Sequence, residues 1–136
     1  MALTLNQNHK LSVMVVDDEE DIRETLKMFL EMMNVFTFIV DAVDGAEGFR
    51  KFQKQKFDLV ITDLMMPKVK GIDLIQNIKQ LEEKENLPAT PIIILSANIT
   101  GDNVSRAMEM GVKYALTKPC RTCLLYTSDA ADEEDS

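Results

Sequence analysis

The chain has no apolar run near the ~20 residues that a membrane-spanning helix needs, so no transmembrane segment is expected. Its first ten residues, MALTLNQNHK, hold no apolar stretch of the kind a secretory signal requires. Cysteine is scarce, with two in 136 residues, too few for a disulfide framework. Cys120 and Cys123 do have the Cys-x-x-Cys spacing of redox motifs, but two residues alone make a weak signal. Positive charge is also short: 15 Lys and Arg stand against 23 Asp and Glu, a net charge of −8. That balance leaves no footprint for direct nucleic-acid binding. These shortages predict a soluble, cytoplasmic protein without membrane or nucleic-acid contacts.

What is present fits one domain. A chain of this length can bury roughly two-thirds of its unfolded surface, and 46% hydrophobic with 28% charged residues is ordinary globular composition. The acids are unevenly spread. Asp129, Asp132, Glu133, Glu134 and Asp135 crowd the last residues, so the rest is only mildly acidic.

The pattern along the chain alternates between strand and helix. Ser12–Val16 is a continuous apolar run ending in Asp17-Asp18, as buried parallel strands read. Ile22, Leu26, Phe29, Leu30 and Met33 recur at helical spacing behind Glu19, Glu20 and Asp21, acids that suit a helix N-terminus. Asn34 is the expected stop. Phe36–Val43 is a second strand, broken by Asp44-Gly45. Ala46, Phe49 and Phe52 mark the second helix, and Leu59–Asp63 the third strand. Leu74, Ile75, Ile78 and Leu81 form the inner face of a third helix, which the polar stretch Glu82–Asn86 is expected to carry into solvent. Ile92–Leu95 is strand four, ending on Ser96. A fourth helix follows on Val104, Ala107 and Met108, stopped by Gly111. Tyr114–Thr117 is strand five, ending at Lys118-Pro119. Five strand–helix alternations imply a doubly wound α/β fold with a parallel sheet and helices on both faces.

In such a sheet every strand tip points the same way, toward the crevice where open α/β folds hold ligands. The tips here carry Asp17 and Asp18, then Asp63, Ser96 and Lys118. Taken singly each has a plain explanation: Asp and Ser favour turns and caps, and lysine favours the surface. Their joint placement is the specific feature. Three carboxylates close together repel unless a cation intervenes, and a hard divalent ion with oxygen ligands, Mg²⁺ best, meets that need. Lys118 adds a point charge and Ser96 a hydrogen-bond donor, both suited to phosphoryl oxygens. A carboxylate beside them could act as a covalent nucleophile, as in aspartyl-phosphate chemistry.

The stretches VVDDEEDIRETL, DAVDGAEG, FDLVITDLMMPKVKGIDL, PIIILSA and GVKYALTKP together resemble the receiver domain of two-component response regulators, the CheY-like fold, over about Val13 to Pro119. The resemblance implies a flavodoxin-like five-stranded sheet in the order 2-1-3-4-5. It implies that Asp63 is the phosphoacceptor, and that Asp18 and Asp63 hold Mg²⁺ with the Met65 backbone carbonyl. Asp17 would support the metal directly or through water. Ser96 would be the hydroxyl that bonds the phosphoryl group, and Lys118 the ammonium that pairs with Asp63. The Lys118-Pro119 bond is expected to be cis. The implied partners are a histidine kinase or histidine phosphotransfer protein, with the downstream effector unnamed. The implied role is a regulatory phosphoacceptor with at most slow autophosphatase activity, not an enzyme.

Two departures stand out. The family usually has Tyr or Phe three residues before the lysine, where this chain has Ala115. Tyr114 is one residue away and, on a strand, points to the opposite face. That keeps open a second reading, a receiver-like protein-binding module that works without phosphorylation. A third, an aspartyl phosphatase of the haloacid-dehalogenase type, expects a second Asp two residues after Asp63, where Met65 stands. The other departure is at the end. Cys123–Glu133, CLLYTSDAADE, resembles a translated sequencing adapter. The expected organisation is thus a lead-in over 1–10, a receiver domain over 11–122 and a non-native acidic tail over 123–136. A truncated fifth helix within about Arg121 to Tyr126 goes with it.

Overall fold

A computed structural model describes residues 11–64, 71–96 and 102–117 of the chain. Among the described residues five strands and four helices alternate: β1 (Leu11–Val16), α1 (Glu20–Met33), β2 (Phe36–Ala42), α2 (Gly45–Lys54), β3 (Leu59–Asp63), α3 (Gly71–Lys84), β4 (Ile92–Ser96), α4 (Asp102–Glu109) and β5 (Tyr114–Thr117). The strands form one parallel sheet in the order β2-β1-β3-β4-β5. This is the order the family resemblance implies. The expected fifth helix, the 1–10 lead-in, the acidic tail and the Lys118-Pro119 bond lie outside the described residues.

The period-2 alternation of a strand assigns each face its partner. Along β1, Met14 and Val16 join Val60, Ile92 and Ile94 in one apolar layer. Phe52 of α2, Ile72, Leu74, Ile75 and Ile78 of α3, and Val104 and Ala107 of α4 cover it. Val13 and Val15 face the other way with Ile61 and Leu95, under Ile22 and Leu30 of α1. The central strands are therefore apolar on both faces, which is why they read as unbroken hydrophobic runs.

Local chemistry sets the element ends. Asp44 caps α2, its carboxylate accepting from the Glu47 N–H at 2.8 Å, while Glu47 Oε1 accepts from the Val43 N–H at 2.7 Å. That reciprocal arrangement is close to a capping box. Asn34 ends α1 in the left-handed region at φ 60°, and Gly111 closes the turn after α4 at φ 103°. The side chains differ from expectation in places. Met33 and Met108 are exposed, as is Ala46, so the inner faces of their helices are narrower than the periodicity suggested. Glu82 does not lead into solvent. It is 5% exposed, because its carboxylate accepts from the Thr90 N–H at 2.7 Å. A buried acceptor with a fixed donor replaces the water it gave up.

Candidate phosphoryl-transfer site

The site begins with register. Val16 of β1 pairs with Thr62 of β3, so Asp17 and Asp63, one residue further on, leave adjacent strands at the same level. Asp63 pairs with Leu95 of β4, so Ser96 lies one step beyond it on the next strand. Asp17, Asp63 and Ser96 are all buried, and Asp18 is exposed. Carboxylate oxygens of Asp17, Asp18 and Asp63 lie within 4.8 Å of one another. The sequence-predicted acidic residues thus converge. Hard anionic oxygens suit Mg²⁺ in kind: one or two of these carboxylates can bind it directly, the third through water, with water and phosphate oxygens completing its shell. Met65 and Lys118, the other predicted participants, lie outside the described residues.

Backbone contacts hold this cluster in place. The Asp17 N–H donates to the Ala42 carbonyl at 3.1 Å. Asp17 Oδ1 accepts from the Glu19 N–H at 2.8 Å, and the Asp17 carbonyl accepts from Arg23 Nη1 at 2.8 Å. On β3, the buried Thr62 hydroxyl donates to the Asp63 carbonyl at 2.9 Å. Leu64 is tied at both ends: its N–H donates to Leu95 at 3.1 Å and its carbonyl accepts from the Gly71 N–H at 3.0 Å. Gly71 is packed so closely that a Cβ there would overlap the Asp63 carbonyl oxygen and reach 2.7 Å from Leu64 Cα.

Beside the acidic cluster sits an ion-pair group. Arg23 Nε and Lys27 Nζ both reach Asp41 Oδ2, at 3.2 and 3.3 Å. Partial burial alone would raise the Asp41 pKa, but the Lys27 and Arg23 charges outweigh it and hold the carboxyl below its ordinary range. Burial likewise opposes the Lys27 ammonium, and Asp41 and Glu24 together hold its pKa above the ordinary value. Sequence reasoning singled out neither Arg23 nor Asp41, and in Gly71 it saw only a break that opens a helix. Arg23 and Asp41 are 18 residues apart, and no periodicity joins them.

Comparison with known proteins agrees with this geometry. The family model for the response regulator receiver domain matches residues 13–128. The chain belongs to the receiver domain family. The receiver is 37% identical over 115 residues to the transcriptional regulatory protein ResD of Bacillus subtilis, covering 85% of this chain and 45% of ResD. It is 33% identical over 119 residues to the chemotaxis protein CheY-3 of Vibrio cholerae, covering 88% of this chain and 87% of that protein. Among solved structures, the chemotaxis response regulator CheY4 of Vibrio cholerae superposes with a TM-score of 0.71 at 26% identity, over 90% of this chain and 98% of that one. The chain thus spans less than half of ResD and most of CheY-3. It is a receiver domain of two-component signalling. Such domains are regulatory phosphoacceptors that interact with histidine kinases or phosphotransfer proteins. No helix among the described residues is long and apolar enough to cross a membrane.

Proposed function

We propose that Asp63 accepts a phosphoryl group from a phosphohistidine of a histidine kinase or phosphotransfer protein. The observation that carries this is the convergence of the Asp17, Asp18 and Asp63 carboxylates at the tips of adjacent strands. A carboxylate oxygen of Asp63 attacks phosphorus, the P–N bond to the donor imidazole breaks, and the imidazole leaves as its nitrogen takes up a proton. Asp17, Asp18, Asp63 and the Met65 carbonyl would hold Mg²⁺. That ion supplies neutralisation of charge on the transferring phosphoryl oxygens. Ser96 donates its hydroxyl to a phosphoryl oxygen, and the Lys118 ammonium pairs with the acyl phosphate once formed. Hydrolysis of that acyl phosphate is slow, and the output is a shift between two conformations of the domain. The donor, and so the receiver, is taken to be cytoplasmic.

Acetyl phosphate with Mg²⁺ tests the reading. Intact mass should show one phosphoryl adduct on the wild type and none on Asp63→Asn, with the fold retained by circular dichroism. A full adduct on the Asn variant would remove Asp63 from the role. An unlabelled wild type would favour a module that binds partners without phosphorylation.

A further inference from the structure

We infer that Arg23 is a positioning residue for the metal carboxylates, locking the Asp17–Asp18 peptide from outside the acidic cluster with Asp41 as its anchor. The inference rests on the Mg²⁺ reading above. Arg23 sits in the first turns of α1, and its side chain is 12% exposed, low for an arginine. One edge of the guanidinium, Nη1, donates to the Asp17 carbonyl at 2.8 Å. Another, Nε, donates to Asp41 Oδ2 at 3.2 Å. Asp41 is on β2, in register with Val15 of β1, two residues before Asp17. A rigid planar fork thus spans from a fixed point on the sheet edge to the strand tip, which a lysine ammonium cannot do with the same geometry.

The consequence follows from the peptide bond. Asp17 is held on its N–H by Ala42 and on its side chain by Glu19. The Arg23 contact fixes the remaining polar group, the carbonyl. Because the peptide is planar, fixing that carbonyl also fixes the Asp18 nitrogen and Cα. Asp18 is the exposed member of the three, so its aim depends on backbone placement more than on packing. Asp41 is kept ionised by its two cations, which keeps the anchor in force at neutral pH. Lys27 shares Asp41 with Arg23 and would hold the carboxylate if Arg23 were lost, but it makes no described contact with Asp17.

Plain electrostatics predicts the opposite effect of losing Arg23. A guanidinium near three carboxylates repels an incoming cation, so its removal should tighten Mg²⁺ binding. Positioning predicts weakening. The experiment is a calorimetric Mg²⁺ titration of the full chain, wild type and variants, without phosphodonor. Asp18→Ala comes first as the test of the metal reading: unchanged affinity there would sink that reading and this inference with it. With Asp18→Ala weakened, Arg23→Ala should lose affinity by about tenfold or more, the range seen when outer partners of metal ligands are removed. Arg23→Lys, which keeps the charge and loses the fork, should fall between wild type and Ala. Glu82→Ala, a destabilising change at the other end of the sheet, should leave affinity unchanged and controls for stability alone. Equal or tighter binding by Arg23→Ala overturns the inference. So does wild-type affinity in Arg23→Lys, which would reduce the residue to its charge, and so does a loss in Glu82→Ala matching that of Arg23→Ala.

Discussion

At the scale of single residues, this site depends as much on an absent side chain as on its carboxylates. Gly71 places its Cα against the backbone that follows Asp63, and a methyl group there would overlap the Asp63 carbonyl oxygen. The atoms in the way are backbone, held by the Thr62 hydroxyl and by Leu95, so they cannot rotate aside. Gly71→Ala should therefore cost about 1–3 kcal/mol, the usual range for overpacking, and it should displace Asp63. Urea denaturation and acetyl phosphate labelling measure the two effects separately. Labelling should fall even at temperatures where the variant is fully folded, and wild-type stability with wild-type labelling would contradict the packing argument. The carboxylates themselves could be read from the sequence, because an apolar run ending in Asp has few other meanings once several runs share it. Gly71 could be read only as a break, since a close approach between backbones leaves no periodic trace. Arg23 could not be read at all: its partners are Asp17, just past the end of β1, and Asp41 on β2, and their proximity is a product of the folded sheet.

Among elements, the strands and helices follow from local pattern; the errors lie at the margins of helix faces, where Met33, Ala46 and Met108 are exposed, and where a polar residue finds a buried partner. The last turn of α3 shows why. Glu82 stands among Glu83, Lys84 and Glu85, a stretch whose composition points to solvent. Yet its carboxylate is buried against the chain entering β4, bonded to the Thr90 N–H at 2.7 Å and 3.7 Å from Lys79 Nζ. Its carbonyl accepts from the Leu87 N–H at 2.8 Å. One residue thus ends the helix, turns the chain and joins it to the strand that carries Ser96. Removing the carboxylate leaves a buried N–H without its acceptor, a loss of about 1–3 kcal/mol. Glu82→Ala should lower stability by that much in urea, and Glu82→Gln by less, because the amide oxygen can still accept from Thr90. An Ala variant as stable as wild type would show that the carboxylate is incidental to the turn.

For the whole molecule, the alternation of strands and helices is enough to require a parallel sheet, but not to order it. The order 2-1-3-4-5 came from the family resemblance, and hydrophobic runs alone would have allowed others. What the order accomplishes is to place β4 and β5 side by side, so that Ser96 and Thr117 are in register at the site while Ala115 pairs with Ile94 two residues back. Ala115 is half-buried against the layer that holds Val104 and Ala107 of α4. Tyr114 and Leu116, on the opposite face, are 64% and 53% exposed. A large residue at 115 would therefore extend from the position of a methyl group toward the apolar layer that includes Val104 and Ala107 of α4. Any coupling between the phosphoryl group and the outer surface works here without an aromatic ring at position 115. A ligand can shift an equilibrium only by its differential interaction with the two states. Adding a ring gives the two states a new contact to differ in, and it does so away from the carboxylates. Ala115→Tyr should thus leave the rate of labelling by acetyl phosphate nearly unchanged, and it should enlarge the phosphorylation-dependent change in amide exchange across α4 and β5. Exchange measured with and without acetyl phosphate, on wild type and variant, decides it. A large change in labelling rate with no change in the exchange response would place the influence of residue 115 on the site and not on the α4–β5 surface.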